Sequence, residues 1–232
     1  MRPRKGRDSG IAGKLVAALV FLAIFVLLNI VLVLLPTFLY GYGIISYNSL
    51  YFISDAALSM SFSLTALCYL IFYRKMGFGA IARSVGLNGK KVFGVNLVLL
   101  GILAFVVMFV LEVIISIISA VTNVQIDTNV SILLASAPAW FYVFTAIIAP
   151  INEEILFRGF LVPRIGIIAS ALIFAAGHIS YNSTFGIEVI AAFVFGLLAG
   201  YVYRKTGSLY PSIIAHILLN ASTLLLTFMV LA

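Results

Sequence analysis

Charge is what this chain has least of: Asp, Glu, Lys and Arg make up 9% of its 232 residues, where a soluble domain carries about 25%. So few charges cannot clothe a water-facing surface, and a soluble globular domain is excluded. Cysteine is nearly absent too. Cys68 is the single one and cannot form an intrachain disulfide; inside an apolar block, it reads as a small core residue. Several hydrolytic chemistries lack their parts. No H-E-x-x-H run is present, which removes the local zinc-protease signature. A G-x-S-G serine setting is missing, and Cys68 has no histidine near it in sequence. An aspartyl mechanism needs two intramembrane aspartates, and Asp55 is the one candidate. No internal repeat or low-complexity tract stands out.

What the chain does have is apolar residues, 64% of the total, in long blocks. Leu15 to Tyr47 contains no charge, Asn48–Tyr73 only Asp55, and Val92–Val121 only Glu112. Each block exceeds the roughly 20 residues that a helix needs to cross about 30 Å of hydrocarbon. Lipid satisfies no backbone polar group, so such blocks are helices; a barrel would need short alternating segments. The chain is thus read as an all-α polytopic membrane protein, a bundle around an intramembrane cavity. Seven spans are expected, at about 14–36, 48–73, 92–121, 137–161, 166–181, 187–203 and 208–231. A short eighth element at 130–136 is the alternative count. The first apolar run is longer than the roughly 7–15 residues of a signal-peptide core and reads as a retained helix.

The net charge of +7 points to membrane orientation, not to nucleic acid. Arg2, Arg4, Lys5, Arg7 and Lys14 precede the first span. Arg74, Lys75, Arg83, Lys90 and Lys91 fill the loop after the second, with a short amphipathic turn expected at Phe78–Val85. Arg158 and Arg164 flank the end of the fourth span, and Arg204 and Lys205 follow the sixth. All 14 basic residues thus fall on one side. The positive-inside rule makes that side cytoplasmic, with the N-terminus inside and the C-terminus outside. Residues 1–136, with the basic loop 74–91, form a front part without assigned role; residues 137–232 hold the candidate chemistry. Gly196 and Gly200 form a G-x-x-x-G on the sixth span, read as close helix packing.

A charge at the bilayer centre costs about 2.5–3.5 kcal/mol even on the lenient insertion scale, so an ionisable group there is a functional candidate. Asp8 and Asp127 fall in loops, Asp55 and Glu188 near outer helix ends, and Glu112 deeper, where it can pair with a polar neighbour. The remaining acids and both histidines cluster in the back part. The fourth span carries Glu153, Glu154 and Arg158; the fifth, Phe174 and His178; the seventh, His216 and Asn220. Glu154 and Arg158 are i,i+4 and can pair on one face, while Glu153 lies about 100° around the helix and points elsewhere. His216 and Asn220 project in one direction, as do Phe174 and His178. Pro150, one turn before the Glu pair, should kink the helix and free a carbonyl. At about 1.5 Å per residue, Glu153, His178 and His216 come out in the same half of the membrane.

Peptide hydrolysis needs an activated nucleophile, a proton acceptor and oxyanion donors. Two arrangements of these residues supply them. In one, a glutamate deprotonates water while imidazole and amide donors hold the oxyanion. In the other, Glu153, His178 and His216 bind Zn2+, leaving a position for water. The spacing leaves both open.

The three motifs, Glu153-Glu154-x-x-x-Arg158-Gly159, Phe174-x-x-x-His178 and His216-x-x-x-Asn220, resemble those of the CAAX-protease and bacteriocin-processing (CPBP, or Abi) family. The stretch 203–208, ending Thr206-Gly207-Ser208, looks like that family's lead-in to its last motif. The resemblance covers about Ala149 to Asn220. It implies an all-helical intramembrane endopeptidase in which Glu153 is the water-activating base. Glu154 and Arg158 would support the site, and His178, His216 and Asn220 would complete it, the last two as oxyanion donors. The family is labelled metalloprotease, and a metal-free glutamate mechanism is also proposed for it. Its eukaryotic members remove the last three residues of prenylated CAAX proteins; its prokaryotic relatives include bacteriocin-maturation, immunity and scaffolding proteins. The expectation is a hydrolase acting on peptide or protein substrates at the bilayer, with its site open to the cytoplasmic side. The competing classes are a non-catalytic immunity or scaffolding member and, more distantly, a proton-coupled transporter.

Overall fold

The computed structural model describes residues 10–87, 94–122, 136–179 and 187–231. All regular structure in the described residues is helical. In chain order, α1 is Ile11–Gly41, α2 Tyr47–Cys68 with a π-helical continuation Tyr69–Tyr73, and α3 Phe78–Ser84. Next come α4 at Val95–Thr122, α5 within Ala139–Ile165, α6 at Ile167–Gly177, α7 at Ile187–Thr206 and α8 at Tyr210–Leu231. Each expected span has a helix in its place, and α3 matches the expected amphipathic turn. The suggested element at 130–136 lies, but for its last residue, outside the described residues, as does Asp127.

Among the described residues, five helices are long and apolar enough to cross a membrane: Ile11–Gly41, Tyr47–Tyr73, Val95–Ile118, Ala139–Ile165 and Val189–Thr206. The fifth expected span is shorter than the sequence suggested. At 11 residues, α6 reaches only about 16 Å, roughly half the hydrocarbon thickness. Surface chemistry agrees with a lipid setting. No residue in the most apolar stretch of α1 is buried, and large side chains such as Leu15, Leu22 and Leu35 lie open. The protein is an integral membrane protein.

The chain divides into two compact units, Met1–Ile81 and Ala82–Ala232. In the first, α1 packs on α2. A polar clasp joins them: Asn29 Nδ2 donates to Ser61 Oγ at 3.2 Å, and that hydroxyl sits 3.3 Å from Asn29 Oδ1. Lipid makes such pairs useful, because a lone amide there has no partner. Ser46 starts α2, its hydroxyl accepting from the Ser49 N–H at 3.2 Å, a normal N-cap.

In the second unit, α8 runs along α4 and crosses α5, while α6 pairs with α7. The G-x-x-x-G of α7 is the contact surface of the latter pair, as expected. A Cβ on Gly196 would stand 2.8 Å from the Ala171 Cβ, and one on Gly200 would stand 2.9 Å from Ile167 Cγ2. Gly166 alone separates α5 from α6 and takes φ 86°, a left-handed conformation that glycine adopts without strain. Ser170 then ties α6 to α5, donating to the Phe157 carbonyl at 2.6 Å while fully buried. Gly159, next to Arg158, lets residue 85 approach the backbone: a Cβ there would meet Val85 Cβ at 2.8 Å.

Candidate active site

The site begins with the irregular winding of α5. Ala139–Val143 is α-helical, Phe144–Ile148 π-helical, Ala149–Glu154 α-helical, Ile155–Leu161 π-helical and Val162–Ile165 α-helical again. π-helical turns inside α-helices mark functional sites disproportionately. The sequence pointed to a kink at Pro150. The structure answers with a π turn immediately before it and a second one through Arg158.

Glu154 and Arg158 pair as expected, with Nη1 2.9 Å from Oε1. Both side chains are essentially sealed, at 0% and 1% exposure. The contact is close but lies off the N–H direction. Neither Nη of Arg158, nor Glu154 Oε2, completes a hydrogen bond among the described residues. The guanidinium carbon instead sits 4.3 Å from the Phe174 ring centre and 5.0 Å from that of Phe195. Aromatic faces are negative and accept a desolvated cation.

His216, on α8, bridges the two carboxylates. Its Nδ1 is 3.0 Å from Glu154 Oε1, and its Nε2 is 3.8 Å from Glu153 Oε2. A carboxylate only accepts, so Nδ1 carries a proton and the ring's other edge faces Glu153. Glu153 is 17% exposed where its neighbour is sealed. Adjacent residues on one helix thus have different surroundings, as the 100° separation required.

His178 stands differently from the expectation. It is not within a helix but at the C-terminal cap of α6, with φ −89° and ψ −7°. Its Nδ1 is 2.9 Å from the Phe174 carbonyl. That carbonyl too only accepts, so in the neutral ring Nε2 holds the lone pair. Phe174 joins it to the rest: the ring centre lies 4.7 Å from that of His178 and 5.8 Å from that of His216. Asn220, one turn beyond His216, donates from Nδ2 to the Thr145 carbonyl at 2.9 Å. Both motif residues of α8 therefore share a face, as their spacing predicted, and that face meets α5.

Sequence reasoning missed Thr145, Ser170 and Phe195. Thr145 had one signal, its place five residues before a proline. Phe195 had another, its position beside Gly196 in the G-x-x-x-G; its ring lies 4.8 Å from that of His216. Ser170 carried none.

A zinc site is a fair chemical question here, because two imidazoles with their Nδ1 atoms committed and one carboxylate make an N,N,O donor set. The placement does not match it. Among the described residues, no three His, Cys, Asp or Glu side chains converge closely enough to hold a metal ion. The Phe174 ring lies near both imidazoles, its centre 4.7 Å from that of His178 and 5.8 Å from that of His216.

Residues 135–222 match the family described as type II CAAX prenyl endopeptidase Rce1-like. Over 79 residues the chain is 35% identical to an uncharacterized protein, YpbD, of Bacillus subtilis (strain 168). That similarity covers 34% of this chain and 41% of the relative. No solved structure matches. The matched segment contains every residue of the site just described.

Proposed function

We propose that the protein, whose residues 135–222 match the Rce1-like, CAAX-protease-type family, is an intramembrane endopeptidase with Glu153 as its general base. The observation that carries this reading is the divided pair. Glu154 is sealed and occupied by Arg158 and His216. Glu153 is partly open, with an imidazole nitrogen 3.8 Å away.

In the proposed reaction, Glu153 takes a proton from water as its oxygen attacks the scissile carbonyl carbon. His178 orients that water by accepting a hydrogen bond at Nε2. The carbonyl oxygen becomes an oxyanion. His216, in the form with an N–H on both nitrogens, gives Nδ1–H to Glu154 and turns Nε2–H on the oxyanion. Asn220 gives one N–H to Thr145 and its second to the same oxygen. The C–N bond then breaks and Glu153 returns its proton to the leaving nitrogen. The products are a carboxylic acid and an amine, and the acid proton passes to the amine so that they leave as carboxylate and ammonium. Positioned donors of this kind contribute about 2.7–4 kcal/mol each to lowering such barriers. No step passes through a metal.

The substrates we propose are peptide segments at the membrane, including lipid-anchored ones, entering from the cytoplasmic side. The lopsided distribution of basic residues supports that side. The test is incubation of the purified protein, in nanodiscs, with a library of membrane-associated and prenylated peptides. Cleavage by the native protein and none by Glu153→Ala is the expected result. Equal cleavage by both, or by neither, overturns the proposal.

A further inference from the structure

Asn220 meets α5 at the π turn that precedes Pro150. In the π turn Phe144–Ile148, the Ala149 N–H bonds the Phe144 carbonyl, five residues back. Continuing that register by one residue, the Thr145 carbonyl faces position 150. Position 150 is proline, which has no N–H. A backbone carbonyl left unpaired in apolar surroundings is costly, and such groups find other partners. Here the partner comes from another helix: Asn220 Nδ2 of α8 donates to the Thr145 carbonyl at 2.9 Å. Thr145 itself helps open the turn. Its hydroxyl donates to the carbonyls of Phe141 at 2.9 Å and of Tyr142 at 3.2 Å, back-bonding that bends helices. Pro150 is among the fully buried side chains.

We propose that Pro150 is a positioning residue: by withholding its N–H, it reserves the Thr145 carbonyl as the socket that orients the Asn220 amide. An amide rotates about two side-chain torsions, and one fixed N–H leaves the second aimed in one direction. The Asn220 oxygen and second N–H make no hydrogen bond among the described residues, so the Thr145 carbonyl is the anchor. The catalytic consequence rests on the endopeptidase reading above; the structural consequence does not.

The test is a double-mutant cycle on the full-length protein in detergent, read by thermal unfolding. Pro150→Ala restores an N–H to position 150, able to take the Thr145 carbonyl in place of Asn220. Asn220→Ala should lower Tm by several degrees in the native background and by less than half as much in the Pro150→Ala background. Comparing within each background cancels the cost of the proline change itself. Should Pro150→Ala fail to fold, Pro150→Val restores the same N–H with closer volume. Equal Tm losses in the two backgrounds overturn the proposal.

Turnover supplies the second readout. With a peptide cleaved by the native protein, Pro150→Ala should reduce kcat at least tenfold with KM within about twofold. It should reduce kcat no further once Asn220 is Ala. A loss of kcat that persists undiminished in the Asn220→Ala background overturns the positioning role. If the native protein cleaves nothing, the endopeptidase reading fails while the Tm cycle still decides the Pro150 proposal.

Discussion

The Nδ1 of His216 stands 3.0 Å from Glu154 Oε1, the same oxygen that Arg158 Nη1 approaches at 2.9 Å. One carboxylate oxygen thus holds a residue four positions along its own helix and another 62 positions away. Glu154 is thereby occupied as an anchor, and the far edge of the His216 ring is turned to Glu153. Two chemically identical neighbours thus differ in both partners and exposure.

Glu153→Gln keeps the shape and removes the base. Turnover should fall by about 10²–10⁴-fold, the usual contribution of a general base, while the variant still binds substrate. Steady-state kinetics and equilibrium binding of the same peptide check this. Retained turnover would show that Glu153 is not the base.

Arg158→Ala should cost stability as well as activity. It leaves Glu154 at 0% exposure without its cation, and breaking a buried pair this way costs about 3–5 kcal/mol. Adding Glu154→Gln to Arg158→Ala should recover part of the loss, since the bare charge is gone. Denaturant or thermal unfolding in nanodiscs measures both; unchanged stability in Arg158→Ala would remove Arg158 as the prop.

Chelation should leave cleavage unchanged, because the proposed steps run through Glu153 without a metal. The check is activity after dialysis against a chelator, followed by Zn2+ addition. Loss on dialysis and recovery with Zn2+ would instead make Glu153, His178 and His216 the ligand set.

Reporter fusions at the N-terminus or within the 76–90 loop should read cytoplasmic, and a fusion after residue 232 should read external. All 14 Lys and Arg residues favour that orientation under the positive-inside rule. A cytoplasmic C-terminus would require an even number of crossings.

Gly196→Leu should loosen α6 from α7. Even its Cβ would sit 2.8 Å from the Ala171 Cβ, and overpacking of this kind costs about 1–3 kcal/mol. Because α6 ends at His178, activity should fall together with Tm. Unchanged Tm would mean that this helix pair tolerates separation.

The membrane spans were legible in the sequence because lipid imposes a one-dimensional rule: charge-free runs of sufficient length must be helices. The 100° between Glu153 and Glu154, and the shared faces of Glu154 with Arg158 and His216 with Asn220, were legible for a similar reason. Helical periodicity is local, so spacing alone dictates which side chains share a face. Even the carbonyl freed by Pro150 could be anticipated from its missing N–H.

Which helix supplies the partner was not legible. That His216 turns to Glu154, that Asn220 bonds the Thr145 carbonyl, and that Phe174 lies near both histidines all depend on how α5, α6 and α8 pack. No local pattern encodes such crossings; they follow from close approaches such as Gly196 against Ala171 and Gly159 against Val85. The π turns of α5 and the cap position of His178 lay beyond periodicity as well. Both are departures from the regular helix, selected where buried packing and hydrogen bonding to neighbouring helices outweigh the backbone's preference for an unbroken α turn. The sequence by itself determined which residues could meet; tertiary packing decided which of them do.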